Sequence, residues 1–120
     1  MNKRIGNDLT FTWKISRKNE SSVVPENFNG KDVEVILLTP SKKQAKIDDI
    51  TINTGVISFV FKGKNQIELG QYIAVLSENK GDDNMVTVDT INAVTLVPHS
   101  YMEQPGEEST IEVQSVNLES

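Results

Sequence analysis

Large apolar residues recur at every second position along two stretches of the chain, which points to layered β-structure. Leu9–Ser16 carries its apolar residues at odd positions and Thr, Lys or Ser between them, and Val56–Phe61 places Ile57 on the same face as two phenylalanines. A period of two is that of a strand with one buried face. Core packing is therefore predicted for Phe11, Trp13, Phe59 and Phe61. For Trp13, core packing is favoured over ligand stacking.

Other stretches with the composition of β-strands are separated from one another by turn-forming residues. Val33–Thr39, the pair Ile50 and Ile52, and the long run Met85–Val97 are examples, and no stretch shows helical periodicity. About seven strands with turns every 8–12 residues or so favour an antiparallel immunoglobulin-like β-sandwich. A small barrel is the alternative.

The segment Val56–Leu76 is predicted to be two strands joined by the polar connection Lys62–Gln66. Turn-forming residues in that connection predict that the chain reverses there as a hairpin. Gly70, two residues before Tyr72, predicts a structural corner. The glycine would let the chain turn, and the tyrosine would bury its ring and bond its hydroxyl to nearby backbone.

Charge divides the chain unevenly. Residues 1–80 hold all 12 Lys and Arg with 9 Asp and Glu, whereas residues 81–120 hold 8 Asp and Glu and no basic residue. An acidic chain without a basic stripe is not expected to bind nucleic acid. Its apolar runs are far shorter than the ~20 residues of a membrane helix, so no membrane partner is expected. Residues 1–98 are predicted to form the sandwich domain and residues 99–120 an acidic linker or tail.

The C-terminal segment regains weak alternation after a linker-like stretch, Glu103–Ser109. Within Thr110–Leu118, we predict an assembly strand that would add to a sheet edge of its own chain or of a neighbour. Self-association through this segment is one expected outcome. Its predicted contact residues are Ile111, Val113, Val116 and Leu118.

Catalytic chemistry has little support in the sequence. The one histidine, His99, follows a strand-ending proline, and the chain has no cysteine. The adjacent pairs Asp48-Asp49 and Asp82-Asp83 are poor acid–base dyads, because neighbours on a strand face opposite ways. We therefore predict a non-enzymatic protein without cofactor or metal. Phe28 and Tyr101 are the aromatic residues expected outside the core, too few for a sugar-binding platform.

Three short motifs resemble a known phage module. They are Ile5-Gly6-Asn7-Asp8, Asn29-Gly30-Lys31-Asp32-Val33, and Gly63-Lys64-Asn65-Gln66 followed by Leu69-Gly70-Gln71-Tyr72. Over roughly residues 5–98 the chain resembles the N-terminal Ig-like domain of baseplate upper and tail-fibre proteins, from phages and prophages of gut bacteria.

The resemblance implies a structural role. The chain would anchor or assemble a fibre or receptor-binding protein through contacts with other tail or baseplate proteins or with itself. It would be made in the bacterial cytoplasm and reside in the virion tail or baseplate. The alternative is a secreted or cell-surface β-sandwich for adhesion or carbohydrate binding.

Overall fold

A computed structural model describes residues 2–18, 20–79, 84–98, 100 and 110–118. These residues form two β-sheets and no α-helix, which confirms the predicted all-β class and is consistent with a sandwich. The described residues hold ten strands, three more than expected. They are β1 (Asn2–Arg4), β2 (Leu9–Lys18), β3 (Val23–Pro25), β4 (Val33–Leu38), β5 (Gln44–Ala45), β6 (Asp48–Asn53), β7 (Val56–Phe61), β8 (Gly70–Asn79), β9 (Met85–Val97) and β10 (Thr110–Leu118).

The first sheet has the strand order β1-β9-β8-β4-β5, and the second has the order β10-β2-β7-β6. The short strand β3 pairs with the end of β2. Most neighbours run antiparallel, but two pairs are parallel: β1 with β9 and β10 with β2. The N-terminal strand thus lies in the first sheet and the C-terminal strand in the second, each at a sheet edge.

The core lies between the sheets and is filled by the alternating residues of the long strands. Phe11 and Phe59 stack with ring centroids 4.9 Å apart, and Phe61 of the second sheet meets Tyr72 of the first at 5.3 Å. Aromatic pairs of this kind add to the stability that burial alone provides. The four predicted core residues, Phe11, Trp13, Phe59 and Phe61, are each at most 1% exposed.

Phe28, expected outside the core, is buried at 2% exposure, so that expectation is wrong. Its backbone N–H donates to the Thr54 carbonyl, which brings the β3–β4 loop against the β6–β7 turn. An isolated aromatic residue in a polar loop gives no periodic signal of its burial.

The connection between β7 and β8 is not the predicted hairpin. β7 pairs with β2 and β6, whereas β8 pairs with β4 and β9 in the other sheet. The chain passes from one sheet to the other through a single 3₁₀ turn, Gly63–Asn65. Glycine and asparagine serve a crossing between sheets as well as a reversal within one, so local sequence did not distinguish them.

The buried side chain of Gln66 holds this crossing in place. Its Oε1 accepts from the Gly6 N–H at 2.7 Å, and its Nε2 donates to the Asn7 carbonyl at 2.7 Å and the Phe61 carbonyl at 3.3 Å. The Gly63 N–H donates to Asp8 Oδ1 at 2.8 Å. We call this group of bonds the corner lock, because it ties the β1–β2 corner to the 3₁₀ turn.

The predicted corner at Gly70 and Tyr72 lies where β8 begins. Gly70 has φ +122°, and a β-carbon there would come within 2.9 Å of Pro40 Cγ. The Tyr72 ring is fully buried, and its hydroxyl donates to the Glu68 carbonyl at 2.7 Å and accepts from the Glu68 N–H at 3.2 Å. These two hydrogen bonds fix Glu68, and with it the segment that leads into β8, against Tyr72.

We expect Tyr72→Phe to lower the free energy of unfolding by about 1 kcal/mol, because both Glu68 backbone groups lose their partner. Chemical denaturation at neutral pH measures this. Burial raises the pKa of the Tyr72 hydroxyl. The hydroxyl's contribution is therefore complete below the unfolded pKa and is lost as pH rises through the folded one. The difference in the free energy of unfolding between the natural chain and Tyr72→Phe should therefore shrink at strongly alkaline pH. Equal free energies of unfolding at neutral pH would contradict the corner assignment.

Candidate functional site

The C-terminal strand β10 lies along β2 at the edge of the second sheet. The two strands run parallel in nine consecutive pairs, from Thr110 opposite Thr10 to Leu118 opposite Lys18, with no shift in register. This places the predicted assembly strand on the chain's own β2. The other side of β2 pairs with β7 and β3, so β10 completes the pairing of that strand.

Side chains of β10 alternate between the core and solvent. Ile111 is 1% exposed, Val113 packs against the core, and Val116 is 52% exposed on the outer face. Leu118 ends the strand opposite Lys18. Ile111 is thus the main apolar anchor of β10, and Val116 belongs to its solvent face.

Trp13 is joined to β10 by a side-chain hydrogen bond. Its indole Nε1 donates to Ser115 Oγ at 2.9 Å, across 102 residues of sequence. The ring is completely buried, so its N–H needs a partner within the protein. Ser115 lies within the predicted strand but is not among its four predicted contact residues, which are all apolar. The period of two that begins at Ile111 and Val113 is the signal in the sequence that places Ser115 on the inward face.

Ser115→Ala should lower the free energy of unfolding by about 1–2 kcal/mol, because the indole N–H is left buried without an acceptor. The chain has one Trp, so fluorescence reports this site directly. We expect a changed emission spectrum and a lower midpoint of urea denaturation. Gln114→Ala, on the exposed face of the same strand, is the matched control. If the two variants behaved alike, the Trp13–Ser115 bond would be unimportant to stability.

Other candidate groups do not form a site in the part of the chain that the structure describes. His99, Asp82, Asp83 and Tyr101 lie outside it. Among the residues it covers, no three His, Cys, Asp or Glu side chains come together as metal ligands would. None of its helical segments has the length and hydropathy to cross a membrane.

A shallow groove opens beside β4, where β5 pairs with only Leu37 and Leu38. It encloses about 340 Å³ and combines apolar with polar lining. The nearby Ile50 is 45% exposed. The groove offers contact area but no convergent set of reactive groups. Its lining residues are Val33, Glu34, Val35, Gln44, Ala45, Lys46, Ile47 and Ile50.

The motifs that carry the phage resemblance have structural roles in this fold. The first and third meet in the corner lock, through Gln66 and Asp8. In the second, Asn29 Oδ1 accepts from the Thr54 N–H at 2.9 Å, and the Asp32 carbonyl accepts from the Asn79 N–H at 2.8 Å. Compared with known proteins, the chain matches no family model, no curated sequence and no solved structure.

Proposed function

We propose that this chain is a non-enzymatic structural module of a phage or prophage tail or baseplate. It would anchor or assemble a fibre or receptor-binding protein through protein–protein contacts. The observation that carries this proposal is β10, a nine-residue strand laid on a sheet edge by parallel pairing. Main-chain pairing at an edge gives affinity with little demand on side-chain identity, which suits a part built for assembly.

We further propose that the sandwich has immunoglobulin-like topology. In that fold, strands B, E and D are neighbours in one sheet and strands G, F and C in the other. Here β2-β7-β6 would correspond to B-E-D, and β9-β8-β4 to G-F-C. β10 then occupies the outer place beside strand B that the fold gives to its first strand, A.

This assignment accounts for the unusual direction of β10. Strand A of an immunoglobulin domain runs antiparallel to strand B, whereas β10 runs parallel to β2. The N-terminal strand β1 leaves that place empty because it pairs with β9 in the other sheet. The module therefore has a strand site that its N-terminal part does not fill, and a C-terminal strand that fits it.

Tail location can be tested by purifying phage particles from a bacterial strain that encodes the protein and labelling them with gold-conjugated antibodies against it. We expect gold label at the tail or baseplate in electron micrographs. In particles produced with an Ile111→Asp chain, we expect the label to be lost, because the variant carries a charge at the buried anchor of β10. A Val24→Asp chain, which carries the same charge at an exposed side chain of β3, should remain incorporated. Protein found only outside the particles would reject the proposal.

A further inference from the structure

The two sheets have four edges, and they differ in how well they are protected against pairing with another strand. An exposed edge presents unpaired N–H and C=O groups, and proteins shield such edges with short strands, bulges or inward-pointing charges. In the described part of the chain, the outermost strands are β1 and β5 of the first sheet and β6 and β10 of the second, and the three-residue β3 lies off this order beside β2. Because β1 and β5 are so short, most of β9 and the first part of β4 are also open on their outer sides within the described residues.

Three of these edges carry such a device. β1 has three residues, and its central Lys3 is buried on the same face as Leu96, so a charge points inward. β5 has two residues. β6 shifts register between Asp48 and Thr51, and Asp49 within that irregularity has φ +53°. The open part of β9 is long but irregular, because its register with β8 shifts between Tyr72 and Ile73 and again between Leu76 and Ser77. None of these three edges therefore offers a long row of backbone groups in regular register.

The outer edge of β10 carries no comparable device. The strand has nine residues in unbroken register with β2, without Pro, Gly, Lys or Arg, and its single charged residue is Glu112. No other described strand pairs with its far side. The three side chains on its solvent face beyond Thr110 are all exposed: Glu112, Gln114 and Val116.

We propose that two copies of this chain pair through this edge, with β10 antiparallel to β10 of the second copy about a two-fold axis at Gln114. Gln114 is the midpoint of Thr110–Leu118, so this register pairs all nine residues. The same surface then serves both copies, as a two-fold interface requires. The two second sheets would join into one continuous sheet of ten strands, eight of them in a single row and a β3 beside each β2.

The side chains suit this partner. In the proposed register Glu112 lies opposite Val116 of the second copy, so the two carboxylates are never opposite each other. Like charges directly opposite would destabilise the pair. On the same face, Ser16 of the second copy's β2 lies two strands across from Glu112, and the exposed Lys14 and Lys18 flank it at roughly 12 Å from the Glu112 backbone. Glu112 of one copy therefore shares a face with two lysines of the other, and the long lysine side chains can approach its carboxylate.

This inference rests on the proposed function and deepens it, because it names a second copy of the chain as a partner of β10. The two can fail separately. A chain that is incorporated into tails but does not pair at Gln114 would overturn the pairing alone. A chain that pairs at Gln114 but is absent from particles would overturn the tail proposal alone.

Single cysteines provide the test, because the natural chain has none. Opposed Cα atoms in an antiparallel pair are about 4.5–5.5 Å apart, within reach of a disulfide. Under mild oxidation, Gln114→Cys should form a disulfide dimer about tenfold faster or more than Lys14→Cys, since pairing raises the effective thiol concentration. Lys14 is exposed on the same face but lies inside the sheet, which makes it the matched control.

Mixtures of two different single-cysteine variants test the register proposed for the β10–β10 pair. Glu112→Cys and Val116→Cys should crosslink to each other faster than either does to itself, because only the mixed pair lies opposite. Crosslinking of Gln114→Cys no faster than that of Lys14→Cys would overturn the proposal, as would equal rates at positions 112, 114 and 116.

A double variant, Thr12→Cys with Glu112→Cys, joins register partners of β2 and β10. It should close within one chain and run as a 13.3 kDa monomer. Covalent dimers of this variant would mean that β10 is exchanged between copies, which would also overturn the edge-to-edge proposal.

Discussion

Gly63→Ala is expected to lower the free energy of unfolding by about 3 kcal/mol or more, the range of severe steric substitutions. A β-carbon at Gly63 would collide with the backbone carbonyl of Gly6, where the β1–β2 corner meets the 3₁₀ turn. Backbone on both sides leaves no flexible side chain to move away. The corner lock around Gln66 would have to open for the methyl group to fit. Urea denaturation followed by Trp13 fluorescence measures the loss.

Lys64→Ala is the control for this substitution. Lys64 is the next residue of the same turn and is exposed, so its replacement should change stability by no more than about 0.5 kcal/mol. If Gly63→Ala were as stable as the natural chain, the β1–β2 corner could not lie against this turn. The crossing between the sheets would then have to follow a different path.

The second large effect is expected from Ile111→Asp, which should lower the free energy of unfolding by about 3 kcal/mol or more. Ile111 is 1% exposed, and an unpaired carboxylate there is so unfavourable that β10 would separate from β2. Trp13 would then lose Ser115 as its hydrogen-bond acceptor and come into contact with water. Its emission should shift to the red in the native baseline, before the main unfolding transition.

Val24→Asp places the same carboxylate in the same sheet, on β3, at a side chain that is 47% exposed. We expect it to change stability by at most about 0.5 kcal/mol and to leave the Trp13 emission in place. An Ile111→Asp protein with unchanged emission and stability would show that β10 is not seated on β2 in solution.

Much of the local structure could be predicted from the sequence, because it depends on neighbouring residues. The alternation in Leu9–Ser16 identified the inward face of β2, and β7 has the bounds that the pattern of Val56–Phe61 indicated. The spacing of Gly70 and Tyr72 is that of a corner, and the bonds of Tyr72 to Glu68 span four residues. Contacts this short in sequence leave a local signature.

Strand pairing and the candidate site depended on distant residues and could not be predicted in the same way. Gln66 determines where the β7–β8 connection goes by bonding to Gly6, 60 residues away. The weak alternation of Thr110–Leu118 predicted a strand but not its partner, β2. The periodicity of β10 turns Ser115 inward, but its role as the acceptor for Trp13 is visible only once the two strands are adjacent. Lys3 and Phe28 are both buried, and nothing in the periodicity of the sequence around them indicates it.

The parallel direction of β10 and β2 has a mechanical consequence. If the chain is pulled before Leu9 and after Leu118, the two strands are drawn in opposite senses along their length. The force then acts in shear, and the hydrogen bonds of all nine pairs share it at once. If the antiparallel strands β8 and β9 were pulled apart at Asn79 and Met85, the hydrogen bonds between them would instead break one residue pair at a time. The pairing of β10 with β2 should therefore resist tension along the chain better than the pairing of β8 with β9.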